Sequence, residues 1–140
     1  MAERKELQEK ILTYRILESR LETLLKQRDV VASKLVEIQS TLDSMDEIEK
    51  TKEEILFPIG AEAYTFGKVV SKNKVMVDIG ANVVLEKNVE EGKEILNKRK
   101  TEMENALESM QRDIAEVSSV LEQLGSEIQE MGESSEAEAG

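Results

Sequence analysis

Two long apolar stripes decide what this chain can fold into. Positions 14, 17, 21, 24, 28, 31, 35, 38, 42 and 45 step by three and four alternately, and nine of the ten are apolar. They read Tyr14, Leu17, Leu21, Leu24, Arg28, Val31, Leu35, Ile38, Leu42 and Met45, with Leu7 and Ile11 carrying the stripe backward. A second stripe reads Leu96, Lys100, Met103, Leu107, Met110, Ile114, Val117, Leu121, Leu124, Ile128 and Met131, ten of eleven apolar. A repeat of about 3.5 residues held this long predicts coiled-coil helices. Each narrow seam needs a partner, and the nearest is the other stripe. Leu7 lies 47 residues before a junction near Glu54, and Met131 lies 42 residues past Val89. At about 1.5 Å per residue the two arms are roughly 70 and 63 Å long. Near-equal arms predict antiparallel pairing within one chain, with both arms ending together, over two separate intermolecular coils.

Composition supports long helices. With four aromatic residues in 140, and 35% of the chain charged, there is little bulk for a thick core. The start of the second helix is marked by Asn88 and, three residues on, Glu91, a capping-box spacing with Asn in place of Ser or Thr. Acidic residues near that start suit the helix dipole.

Between the stripes the period drops to about two. "EILFPIG", "AYTFGKVV", "KVMVDIG" and "NVVLEK" read as four strands, and "SKNK" at 71–74 as a turn in which Asn73 suits a positive φ. Ile-Gly-Ala occurs at 59–61 and again at 79–81, which predicts two hairpins with each Gly at a sharp bend or a positive φ. Two small hairpins cannot bury enough apolar surface to stand alone, and their edges expose unpaired backbone. The coiled coil is too narrow to cover them. Strand pairing with other subunits, closing the edges into a barrel or continuous sheet, is the economical solution. The chain is therefore expected to be an obligate oligomer assembled through Leu56, Ile59, Tyr64, Phe66, Val69, Val75, Val77, Ile79, Val83 and Leu85. The expected fold is mainly α: a long antiparallel two-helix coiled coil joined by two β-hairpins that assemble into an intersubunit barrel. Its expected parts are a helix over 1–54, hairpins over 55–88, a helix over 89–131 and a disordered acidic tail over 132–140.

At the far ends of the arms lie Leu7, Ile11, Tyr14, Leu124, Ile128 and Met131. Terminal turns lack backbone partners and fray, and Gly125 weakens its helix by about 1 kcal/mol relative to Ala. A loosened tip would offer Leu, Ile and Met side chains to varied apolar partners, and several tips in one oligomer would add weak contacts. Ordinary coiled-coil packing is the competing role for the same residues.

Catalytic readings find no constellation. Cys and His are both absent, which removes disulfides, thiolate chemistry, the commonest metal ligand and the commonest general base. No cofactor and no metal are expected. The pairs Glu53–Glu54 and Glu90–Glu91 are sequence neighbours and do not share a helix face. Asp78, the one carboxylate of the third strand, is read as an outward residue or a hydrogen-bonding partner at a junction. "GAEAYTFGK" spaces its glycines too widely for a phosphate loop and ends before Val69 rather than Ser or Thr. The Lys68, Lys72 and Lys74 group reads as a solvated loop. The net charge of −11, with eight acidic and no basic residues beyond Arg112, argues against nucleic acid. The acidic end serves solubility or docks a basic partner. "MAERKELQEK" lacks a signal-peptide core, and no apolar run approaches the roughly 20 residues that span a bilayer. A soluble cytoplasmic protein without membrane partners is expected.

The stretches "FPIGAEAYTFGKVV" and "KVMVDIGANVVLEKNVEEGKEILNKR", in the order helix, two hairpins, helix, resemble the α-class subunit of archaeal prefoldin. The resemblance covers nearly the whole chain, and the second hairpin separates it from the single-hairpin β class. It implies a hexamer of two α and four β subunits whose hairpins form barrels. It also implies an ATP-independent chaperone that binds unfolded client proteins and hands them to a group II chaperonin. The competing expectation is a scaffold, or a filament-forming prefoldin-like protein, without client transfer.

Overall fold

The computed structural model describes residues 2–51 and 53–139, the side chains of 135–139 excepted. In chain order the elements are α1 (Ala2–Lys50), β1 (Ile55–Gly60), β2 (Ala63–Gly67), β3 (Lys74–Gly80), β4 (Val83–Asn88) and α2 (Val89–Ala139). The chain divides into two compact units. One holds 1–33 with 104–140, and the other holds 34–103.

Every seam position named from the heptads is covered or partly covered, while most of the intervening polar positions are exposed. In the unit 1–33/104–140, Val117 and Leu121 are buried, and Lys10 Nζ meets Glu127 Oε2 at 2.9 Å. In the unit 34–103, Ile38 and Leu42 are buried, Lys100 Nζ donates to Gln39 Oε1 at 2.8 Å, and Lys93 Nζ meets Asp46 Oδ1 at 2.8 Å. Rising numbers on α1 meet falling numbers on α2 within each unit, so the pairing is antiparallel, as the stripes require. The two polar interruptions are accommodated locally: Lys100 reaches Gln39, and the Arg28 guanidinium turns to its neighbour Asp29 at 3.1 Å.

The hairpins form two separate two-stranded antiparallel sheets, β1–β2 and β3–β4, and neither closes into a barrel within the chain. The loops Ala61–Glu62 and Ala81–Asn82 each have φ positive at both residues, from 47° to 62°. Two such residues define a type I′ turn, whose twist matches that of the flanking strands. Gly60 and Gly80, at φ 120° and 107°, stand just before these loops where the register slips by one residue. Both conformations are ones that glycine enters without steric strain, so the repeated Ile-Gly-Ala is a bulge-and-turn signature. Asp78 Oδ1 accepts the Gly80 N–H at 2.8 Å and fixes the second bulge. The expected positive φ at Asn73 is not found among the described residues. "SKNK" joins one hairpin to the next rather than closing a hairpin, so it needs no left-handed pair; instead the Asn73 carbonyl accepts the Val89 N–H at 3.0 Å.

α2 starts as its sequence demands. Asn88 Oδ1 accepts the Glu91 N–H at 2.8 Å, and Asn88 Nδ2 donates to Glu91 Oε1 at 3.1 Å. This satisfies one of the unpaired donors of the first turn. The backbone stays helical past 131 to Ala139, beyond the expected helix end and through most of the segment expected to be disordered.

Candidate functional site

Two groups of apolar residues with open or half-covered side chains stand out, one on the hairpins and one on the end segments of the helices. On the first hairpin Leu56 faces Phe66 and Pro58 faces Tyr64 across the strands. Alternation puts these four on one face, and that face is open, with Phe66 74% exposed. Ile59, displaced by the bulge, is exposed beside them. The opposite face carries Phe57, whose Cε2 lies only 2.8 Å from where a Gly67 side chain would begin. The ring uses the missing Cβ as its seat.

The second hairpin is divided by the same alternation. Val75 and Val77 face inward, Val77 being buried. They meet α2 at Gly92, where a Cβ would stand 2.6 Å from Val75 Cγ2, 3.4 Å from Met45 Cε and 3.8 Å from Val77 Cγ2. Arg99 donates to the Asp78 carbonyl and ties the strand to the helix. Met76, Ile79, Val83, Val84 and Leu85 are exposed. Of the expected assembly residues, then, Leu56, Ile59, Tyr64, Phe66, Ile79, Val83 and Leu85 lie open. Val75 and Val77 pack within the chain, and Val69 is half-buried just past β2. Sequence reading missed Met76 and Val84, which share the outward face through the pairs Met76–Glu86 and Asp78–Val84. The signal was present: in "KVMVDIG" a period of two sets Met76 opposite both valines.

The end segments hold Leu7, Ile11, Tyr14, Leu124, Ile128 and Met131, all half-buried on the seam. Tyr14 Cε2 stands 3.6 Å from where a Gly125 side chain would begin, and α2 continues through Gly125 without a break. Lys10 Nζ donates to Glu127 Oε2 at 2.9 Å, and this bond holds the Glu127 carboxyl below its ordinary value and raises the Lys10 ammonium above its own. Leu12 and Ile16, one turn apart on α1, are each 60% exposed. They lie off the heptad stripe, which is why a search for seam residues passed over them; their i, i+4 spacing makes one apolar patch.

At the junction with the hairpins Lys93 lies 2.8 Å from Asp46, 3.6 Å from Glu49 and 3.9 Å from Glu90. Its hydrogen bond depresses the Asp46 carboxyl and raises Lys93. This is a structural clamp on the wall of an open polar cleft of about 230 Å³, which Gln39, Asp43, Asn97 and Lys100 also line. Among the described residues no group of His, Cys, Asp and Glu could hold a metal, and no helix is long and apolar enough to cross a membrane.

The class of protein is set by this fold: two paired helices joined by two hairpins whose apolar faces lie open. The family model described as "Prefoldin subunit" matches residues 17–134. Prefoldin subunit alpha of Archaeoglobus fulgidus is 31% identical over 132 residues, covering 91% of this chain and 95% of that protein. Prefoldin subunit alpha of Pyrococcus horikoshii is 29% identical over 130 residues, covering 91% and 88%. Among solved structures, the cryo-EM structure of filamentous PFD from Methanocaldococcus jannaschii matches with a TM-score of 0.69 at 21% identity, covering 86% of this chain and 98% of that one, which shows the fold alone. The chain belongs to the prefoldin family, in its two-hairpin α class. Membership makes it a chaperone subunit that assembles with other prefoldin subunits.

Proposed function

We propose that the chain is a subunit of an ATP-independent holdase in the cytoplasm. Two copies assemble with four single-hairpin partners through the open hairpin faces. The end segments of the helices bind unfolded chains, which pass to a group II chaperonin. The observation that carries the reading is the placement of apolar surface. The Leu12–Ile16 patch and the half-covered Leu7, Ile11, Tyr14, Leu124, Ile128 and Met131 sit on the end segments, with the assembly surface kept to the hairpins. A partly covered seam can open to a client at small cost, because terminal turns have few partners to lose. Weak contacts at several subunits then add through effective concentration.

The test is suppression of aggregation of a denatured protein without ATP, by the chain co-assembled with a single-hairpin partner. Light scattering establishes the mass of the assembly first. Removal of 1–14 and 124–140, or the double change Leu12→Ser and Ile16→Ser, should abolish or weaken protection while leaving the number of subunits in the assembly unchanged. An assembly that forms but protects nothing would replace this reading with a scaffold. A long polymer of the chain alone would favour the filament.

A further inference from the structure

One feature of the unit 34–103 serves neither surface. Met45 and Ile48 of α1, Phe57 of β1, Val69, Val75 of β3 and Val89 of α2 line an apolar recess of about 240 Å³, with Ser71, Lys72 and Lys74 at its mouth. A dry cavity of roughly 150 Å³ accepts a benzene ring, so the recess is large enough for one bulky aliphatic or aromatic side chain. Its mouth lies in a stretch where the charge of the chain reverses. Between Glu62 and Asp78 there is no acidic residue, the longest such stretch in a chain of net charge −11, and it carries Lys68, Lys72 and Lys74. Among the described residues Lys68 and Lys72 have no ion-pair partner. Lys74 has Glu86 at 3.8 Å, both side chains being more than half exposed, a pairing too solvated to hold Lys74 against a competitor. Three like charges, two on the loop and one at the start of β3, oppose a second copy of the same segment. They attract carboxylates.

We propose that this recess docks an acidic peptide segment of another protein, one apolar side chain entering between Phe57 and Val75 and flanking carboxylates meeting Lys72 and Lys74. The apolar floor supplies affinity, and the lysine rim supplies orientation and a salt-dependent association rate. The site goes beyond the holdase reading and does not depend on it, since the end segments take no part.

The probe is a fluorescein-labelled heptapeptide, Gly-Glu-Glu-Leu-Glu-Glu-Gly, titrated with the intact full-length chain in the oligomer it forms on purification. Polarisation should report saturable binding that weakens with added salt. Replacing the peptide's Leu by Ala should weaken it by about tenfold, the loss of one buried aliphatic side chain. The double change Lys72→Glu and Lys74→Glu should weaken it at least as much. Ser71→Leu, at an exposed position, should block the mouth and lower binding with no loss of helix signal. Light scattering on each variant separates lost binding from lost assembly. Equal binding by wild type and both variants, indifference to Leu→Ala, or no binding at millimolar peptide would overturn the proposal. So would Lys72- and Lys74-dependent binding of dodecanoate without binding of the peptide, which would assign the recess to a small amphiphile. Peptide binding only after the oligomer is dissociated would assign it to a neighbouring subunit and likewise overturn the proposal.

Discussion

Gly92 shows how one absent atom sets the approach of two elements. Its missing Cβ leaves room for Val75 at 2.6 Å and Met45 at 3.4 Å. Val75 belongs to a strand and cannot withdraw alone, so Gly92→Ala must push the second hairpin off α2. We expect a loss of about 1–3 kcal/mol in the overpacking range, although Ala is the better helix former. A urea midpoint unchanged or raised by the substitution would mean that the hairpin shifts freely. Gly125 is the opposite case. An added methyl would stand 3.6 Å from Tyr14 Cε2, an ordinary contact. Gly125→Ala should therefore stabilise the unit 1–33/104–140 by up to about 1 kcal/mol, read as a higher helix melting temperature. Under the holdase reading the tighter end segment should also suppress aggregation less well.

At the scale of elements, the pairing of α1 with α2 carries its own pH window. Asp46 and Glu127 are held below the ordinary carboxylate value by their hydrogen bonds to Lys93 and Lys10. Their contribution is present above that ordinary value and is lost as pH falls through the depressed ones. Lys93 and Lys10 are raised by the same bonds. Their contribution is present below the ordinary lysine value and is lost as pH rises through the raised ones. The melting temperature of the helices should thus hold a plateau between the two ranges and fall on both sides. The double variant Lys10→Met and Lys93→Met should show shallower falls, measured by circular dichroism; unaltered slopes would assign the pH dependence to other groups. The helices were the most legible part of the sequence, because a heptad repeat states both the element and its buried face. The Asn88 cap was legible for the same reason: a local pattern with a local cause. The division of β3 was half legible. Alternation separates Met76 from Val75 and Val77, but which face turns outward depends on Gly92 of α2, a contact between distant residues. Leu12 and Ile16 escaped because reading the seam excludes whatever lies off it. Asn73 escaped because its residue type suits a turn, whereas the chain there only passes between hairpins.

At the scale of the whole molecule, the named surfaces should separate by mutation. Tyr64→Asp with Phe66→Asp places charge on the open face of the first hairpin, where both residues are exposed within the chain. The single chain should keep its helix content, while mass by light scattering should fall toward that of one subunit. Retained oligomer mass would mean that assembly uses another face.

Among the described residues the buried hydrophobic ones are few: Ile38, Leu42, Val77, Val89, Val117 and Leu121. Whatever stability a chain with so little interior gains from neighbouring subunits obeys mass action. Its melting temperature is then a property of the solution as much as of the sequence, falling with dilution and rising when partner subunits are in excess. A subunit made without its partners, with Phe66 and Tyr64 facing water, presents the kind of surface that a holdase exists to cover. Unequal supply of subunits would thus leave the surplus less stable and its apolar faces uncovered.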